Sequence, residues 1–268
     1  MISTIIVGAS GRMGLSMIRL LPEFPALRLG AALVSPSSSH LGQDAGLAAD
    51  CQSLGVPFTA ELQSALRTAD VVIDFSAAAA VPTTLGLARA AKVPLLIGTT
   101  GLSADLGAQL DRAAVDIPVL TAANTSIGVN LLLHLVEQAA RALPIEFNIE
   151  IVEAHHRHKR DAPSGTALAL GAAAARGRDL TGEYAAQWPR GAAGVRQDAE
   201  IGYAIVRGGD VVGEHDVLFL GNGERLRLAH SATDRSVFAR GALQAAQWLA
   251  AQPAGRYKMS DIISVNKQ

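Results

Sequence analysis

The sequence predicts an α/β protein of two domains: a parallel sheet covered by helices, joined to a smaller α+β domain built on a mixed sheet. Three observations carry this. Short apolar runs alternate with helical stretches up to about residue 126. Beyond the middle of the chain, strand-like runs follow one another with only glycine turns between them. The chain has 268 residues, 49% hydrophobic and 18% charged, so it can bury two cores and is too apolar to be disordered.

The elements follow in order. "STIIVGASGRMGLSMIRLL" reads as a buried strand, a glycine turn and a helix with Met13, Ile18 and Leu21 among its apolar positions. "LRLGAALVS" is a second strand, and a helix is expected from about Glu61. "DVVIDFS" is a strand, "VPTTLGLARAAKV" a helix, and "PLLIGTTG" a strand. "SADLGAQLDRAAVD" is a helix with Ser103 as N-cap, and "IPVLTAANTS" a strand. In the second part "GVNLLLHLVEQAARAL" is a helix, "FNIEIVEAHH" a strand and "GTALALGAAAARGR" a helix. "AEIGYAIVRGG", "VVGEHDVLFLG" and "ERLRLAHSA" are strands, with "GGD" and "GNG" expected as hairpin turns. "SVFARGALQAAQWLAAQ" is a last amphipathic helix, expected to return to the first domain.

Net charge is −1, which gives no global field for nucleic acid. Cys51 is the one cysteine, so neither an intrachain disulfide nor a cysteine metal cluster can form. The first residues enter a strand pattern at once, and no apolar run reaches the roughly 18 residues of a membrane span. A cytoplasmic protein with no membrane and no nucleic-acid partner is the expectation.

"VGASGRMG" sets Gly8, Gly11 and Gly14 between a strand and a helix. Such glycines permit a tight turn, close approach of backbone to a diphosphate, and close helix–strand packing, while the helix N-terminus offers free N–H groups. The expectation is a Rossmann-like dinucleotide site. The end of the second strand, Val34-Ser35, carries no carboxylate. Nothing there repels a 2′-phosphate, and Ser35, Ser37, Ser38, Ser39 and Arg12 could donate to one. NADPH is therefore favoured over NADH. Gly98, Thr99 and Thr100, and Ala122, Ala123, Asn124 and Thr125, fall at later strand ends where ligands collect.

"EAHHRHKRDAPSGTA" runs from Glu153 to Ala167 and holds three histidines, two arginines and one of the chain's four lysines. A metal site is not expected. Adjacent histidines face opposite ways on a strand, and Arg157, Lys159 and Arg160 repel cations. An anion pocket fits better. A Pro-Ser-Gly-Thr turn opens a helix, so the N–H groups of Gly165 and Thr166 would meet a carboxylate. His156 and Lys159 add charge, and a histidine exchanges protons near neutrality. A cofactor site in one domain and an acid-binding site in the other suggest hydride transfer to a small dicarboxylate held between them.

Through "GASGRMG", "DVVIDFS", "IGTTG", "AANTSIGVN", "EAHHRHKRDAPSGTA" and "VVGEHDV" the chain resembles the dihydrodipicolinate reductase family. These are the 4-hydroxy-tetrahydrodipicolinate reductases of bacterial lysine and diaminopimelate synthesis. The resemblance implies a dinucleotide-binding domain of residues 1–126 with 236–268. It implies a substrate-binding and tetramerisation domain of residues 127–235, and a homotetramer. It implies that His155 gives or takes a proton and that Lys159 is a proton donor or charge partner. His156, Ser164, Gly165 and Thr166 would hold the dicarboxylate. Gly8, Ala9, Ser10, Gly11, Arg12, Met13, Gly98, Thr99, Thr100 and Ala122 to Thr125 would hold NADPH or NADH, with Ser35 added by the reading of the second strand's end.

The chain departs from the family pattern twice. Many members carry Glu-Arg where Val34-Ser35 stand, and an aromatic residue or methionine where Thr125 stands. Two other readings are open at this point: another two-domain dehydrogenase of an amino-acid precursor, and a non-catalytic NAD(P) sensor.

Overall fold

The computed structural model describes residues 1–180, 196 and 200–264. The chain divides into two compact units. Unit 1 is Met1–Ile127 plus the chain from Ser236 onward, and unit 2 is Gly128–Arg235. Among the described residues the strands are β1 (Ile2–Val7), β2 (Leu27–Leu33), β3 (Phe58–Thr59), β4 (Val71–Asp74), β5 (Leu95–Ile97), β6 (Pro118–Thr121), β7 (Asn148–His155), β8 (Ile201–Arg207), β9 (Gly213–Leu220), β10 (Arg225–Ala232) and β11 (Gly255–Tyr257). The helices are α1 (Arg12–Leu20), α2 (Ala45–Ala48), α3 (Leu62–Ala65), α4 (Val81–Ala91), α5 (Ala104–Ala114), α6 (Ile127–Ala142), α7 (Gly165–Gly177), α8 (Ser236–Leu249) and α9 (Met259–Ser264).

Unit 1 carries a parallel sheet in the order β3-β2-β1-β4-β5-β6-β11. The order turns back between β1 and β4, and in such sheets ligands bind outside the carboxyl ends of the strands at that switch. Strand alternation splits neighbouring residues of β1 between two cores. Ile6 joins the layer with Met17 of α1 and Leu243 of α8, and Ile5 joins the layer with Leu85 of α4 and Leu110 of α5. Ala239, Ala242, Ala245 and Ala246 give α8 a small-residue face that is fully buried. The last helix thus completes the core of unit 1, as the sequence suggested. Three details differ from the sequence reading. In α1 the buried apolar residues are Met17, Ile18 and Leu20, while Leu21 starts a short 3-10 turn. Ser103 stands at the N-cap of α5 but its side chain makes no capping bond. β3 and β11, two and three residues long, are too short to show a period.

Unit 2 carries a four-stranded mixed sheet in the order β10-β9-β7-β8. β7 runs parallel to β8 and antiparallel to β9. The "GNG" turn makes the expected β9–β10 hairpin, with Gly223 at φ +88° and Gly221 N–H donating to Glu224 O at 3.0 Å. The "GGD" turn is not a hairpin, which corrects the sequence reading. β7 lies between β8 and β9, so the turn crosses its end. Gly208 N–H donates to His155 O at 3.0 Å and Arg157 N–H to Gly209 O at 3.3 Å. One face of this sheet packs Ile149, Ile151, Tyr203, Val217 and Phe219 against Leu132 and Val136 of α6 and Leu170 and Ala174 of α7. No helix among the described residues is long and apolar enough to cross a membrane.

Candidate active site

The helix-facing side of the unit 2 sheet changes character along β7. Every second residue points to that side. Across β7 and β9 the rows are Ile149 with Phe219, then Ile151 with Val217, then Glu153 with His215. His155 follows Glu153 on the same side and sits opposite Arg207 of β8. An apolar core therefore ends in a buried polar cluster, with Glu153 1% exposed, His215 4% and His155 8%.

Hydrogen bonds join this cluster. The Glu153 carboxylate accepts from Arg207 at 2.8 and 3.0 Å, from the Ser164 backbone N–H at 3.1 Å, and pairs with Nδ1 of His155. Arg207 also donates to Asp161 O at 2.7 Å. The Ser164 hydroxyl accepts from Ala167 N–H at 3.1 Å, capping α7, and lies 3.0 Å from Nε2 of His215. The His155 and His215 rings meet edge to face, with centroids 5.1 Å apart.

Burial sets the ionisation. It works to raise Glu153, but the bonds from Arg207, His155 and Ser164 outweigh it and hold the carboxyl below its ordinary value. Burial pulls His155 down, with Glu153 opposing. Burial, aided by nearby His155, pushes His215 down to about 4. His156 is also lowered, by desolvation and then by Arg235, whose guanidinium lies 2.9 Å from its Nε2. Lys159 pairs with Asp161 at 2.8 Å.

Of the residues expected here, His155 and Ser164 lie in the buried cluster, and both the N–H and the hydroxyl of Ser164 are engaged inside it. Gly165 is exposed and Thr166 half-buried at the start of α7. Sequence reasoning assigned no role to Glu153, Arg207, His215 or Arg235. The spacing of Glu153 and His155, two apart on a strand, was the available signal for one pair; Arg207 and His215 join from strands far along the chain. Glu153, His155 and His215 hold ligand atoms within 4.8 Å of one another. Arg207 grips both carboxylate oxygens, so a metal ion there would face a guanidinium, and the donor set does not fit one.

In unit 1 the expected cofactor residues follow the carboxyl ends of β1, β2, β5 and β6. Gly8 has φ +78° and a Cβ there would lie 2.5 Å from Phe75 O. A Cβ on Gly14 would lie 2.3 Å from Ala9 O, so α1 and the turn after β1 pack backbone to backbone. Gly11 is the N-cap of α1, with no side-chain cap and no acidic residue in the first turn. Open N–H groups at a bare helix end suit a diphosphate, so the turn fits a dinucleotide. Exposed Ser35 bonds to Ser37 Oγ at 3.0 Å. Thr99 donates to Ser76 O at 3.2 Å and approaches Asp74 Oδ1 at 3.3 Å, tying the turns after β4 and β5 together. Thr125 donates to Phe238 O at 2.6 Å, so its hydroxyl is already engaged.

Residues 2–125 match the family described as dihydrodipicolinate reductase, N-terminus, and residues 128–263 match its C-terminus. A 4-hydroxy-tetrahydrodipicolinate reductase of Rhizobium rhizogenes is 47% identical over 264 residues, 98% of this chain and 96% of its own. One from Methylocella silvestris is 46% identical over 262 residues, 97% and 96% of the two chains. Among solved structures, a dipicolinate-bound dihydrodipicolinate reductase from Paenisporosarcina matches with TM-score 0.79 and 26% identity, covering 96% of this chain and 97% of the other. An amine dehydrogenase from Mycobacterium smegmatis, 14% identical with TM-score 0.61 over 96% and 95%, shares the fold.

Proposed function

From the premise that the chain belongs to the dihydrodipicolinate reductase family, we propose that His155 and Lys159 carry its proton chemistry and that the start of α7 grips its substrate. The chain is an NAD(P)H-dependent oxidoreductase that reduces 4-hydroxy-tetrahydrodipicolinate in lysine and diaminopimelate synthesis. The precursor dehydrogenase and the NAD(P) sensor both give way to this reading.

The observation that carries the site assignment is the Glu153–His155 pair bonded directly to the N-cap of α7. The substrate carries two carboxylates, and the dipicolinate of the solved relative is a dicarboxylate too. His156, Lys159 and the N–H groups of Gly165 and Thr166 would take these carboxylates, with Ser164 holding the helix end in place. The cations and the helix dipole lower the cost of the dianion. Loss of water from the 4-hydroxy compound gives a conjugated imine. A reduced nicotinamide held by Gly98 to Thr100 and Ala122 to Thr125 would supply the hydride, and one proton completes the saturated carbon. His155 takes up a proton from solvent on Nε2 and passes it to that carbon, returning to the neutral ring, and Lys159 balances charge beside it.

On the cofactor side, the first turn of α1 and the residues from Gly8 to Met13 would hold the diphosphate. Gly98 to Thr100 and Ala122 to Thr125 would hold the nicotinamide end. NADPH is the proposed cofactor, since Ser35 and Arg12 offer donors where a carboxylate would select NADH. The test follows absorbance loss of NADPH and NADH side by side with the product of dihydrodipicolinate synthase. A higher kcat/KM with NADPH is expected, and the reverse order would overturn the preference. We further assign the protein to the cytoplasm, where reduced nicotinamide is abundant, and to a homotetramer. The second side of the unit 2 sheet, carrying Val152, Val206 and Leu218, suits assembly of copies. Light scattering that gave a single-chain mass would remove the tetramer, and a membrane-bound or secreted pool would remove the assignment to the cytoplasm.

A further inference from the structure

We propose that Glu153 is a positioning residue for the proton step: it fixes which nitrogen of His155 exchanges the proton, and through the same carboxylate it ties that histidine to the anion-gripping end of α7. This rests on the reading of His155 as the proton site.

The geometry points one way. Glu153 is fully withdrawn from solvent and bonded by Arg207, His155 and the Ser164 N–H. An ionised carboxylate only accepts hydrogen bonds. Nδ1 of His155 must therefore donate, so the neutral ring carries its proton on Nδ1 and leaves Nε2 bare. Nε2 lies on the side of Gly213, where a single Cβ would come within 3.0 Å of it. A glycine keeps that nitrogen approachable. Arg207 has the complementary task. Buried alone, Glu153 would favour the protonated form, and a carboxylic acid could donate to Nδ1 and reverse the ring. The two-pronged guanidinium holds the carboxylate ionised.

The titratable and charged groups around the pair are Arg207 from β8, His215 from β9 and His230 opposite His215 on β10, with Lys159 and Asp161 from the segment before α7. His215 bonds to Ser164 rather than to Glu153, so it braces the cap without competing for Nδ1.

The decisive measurement is the imidazole nitrogen spectrum of the whole ¹⁵N-histidine-labelled protein, with the His155 signals identified by their loss in His155→Gln. A neutral ring protonated at Nδ1 is expected, and protonation at Nε2 overturns the proposal. Glu153→Gln should lower kcat by about 10- to 100-fold, leave KM for NADPH within about twofold, and displace the His155 limb of the pH profile. A folded Glu153→Gln with unchanged kcat and pH profile also overturns it, and if that variant does not fold, the wild-type spectrum decides. Full turnover in His155→Gln would instead remove the proton-site reading on which this rests.

Discussion

Two helices of this chain begin where an anion is expected, and they are built in opposite ways. α1 starts at Gly11, with no side-chain cap and no acidic residue in its first turn, which opens on Arg12. α7 starts at Ser164, whose hydroxyl caps the helix and whose N–H is held by Glu153. In the chain ahead of it Lys159 pairs with Asp161, and His156 meets Arg235. The contrast agrees with what the proposed function asks of each end. A diphosphate stays charged throughout the neutral range and can be held by backbone alone. A dicarboxylate that must be protonated during reaction needs groups that titrate.

The contrast can be broken most sharply at the side chains. His155→Gln and Lys159→Gln should each lower kcat by about 10²-fold or more, with NADPH binding, read by fluorescence titration, unchanged. Turnover retained in both would erase the distinction between the two ends. Acid gives the next largest effect. His215 has a folded pKa of about 4 against an ordinary 6.5, so protonation favours the unfolded chain. Its contribution is complete above pH 6.5 and is lost as pH falls towards 4, on the order of 3 kcal/mol. The lowered His155 acts in the same direction. Amide exchange, corrected for intrinsic rates, should show unit 2 losing protection between pH 7 and 5 while unit 1 holds. Equal losses in both units would contradict this.

The smallest effect sharpens the comparison at the backbone. A Cβ on Gly14 meets the Ala9 backbone within 2.3 to 2.5 Å, whereas one on Gly165 meets nothing within 4 Å. Gly14→Ala should cost about 1–3 kcal/mol and weaken NADPH binding. Gly165→Ala should stay within about 0.5 kcal/mol of the parent. Urea unfolding of both variants checks the pair, and equal stability would refute the backbone-packing account of α1.

The bare end was the easier one to read. Its glycines announce themselves in a single short segment, because the constraint is local. The strand–helix alternation of unit 1 was legible for the same reason. The unit 2 sheet was legible in content but not in order, since only long-range pairing puts β7 between β8 and β9. That same insertion hid half of the site. Glu153 meets Arg207 and His215 only once three strands lie side by side, and neither partner stands out in its own segment. His155 and Lys159 were visible because cations crowd one stretch of a chain with little net charge.

Unit 2 is spliced into unit 1 between Ile127 and Ser236, and this sets a schedule for the nascent protein. The ribosome makes six of the seven strands of the larger sheet, then the whole insert, and only afterwards α8 and β11. For roughly five to twenty seconds of translation Ile6, Met17 and Ile18 wait without their covering helix, and by the time α8 is made the inserted sheet has all its strands. Chaperone demand should therefore fall on the unfinished first unit rather than on the later-made insert.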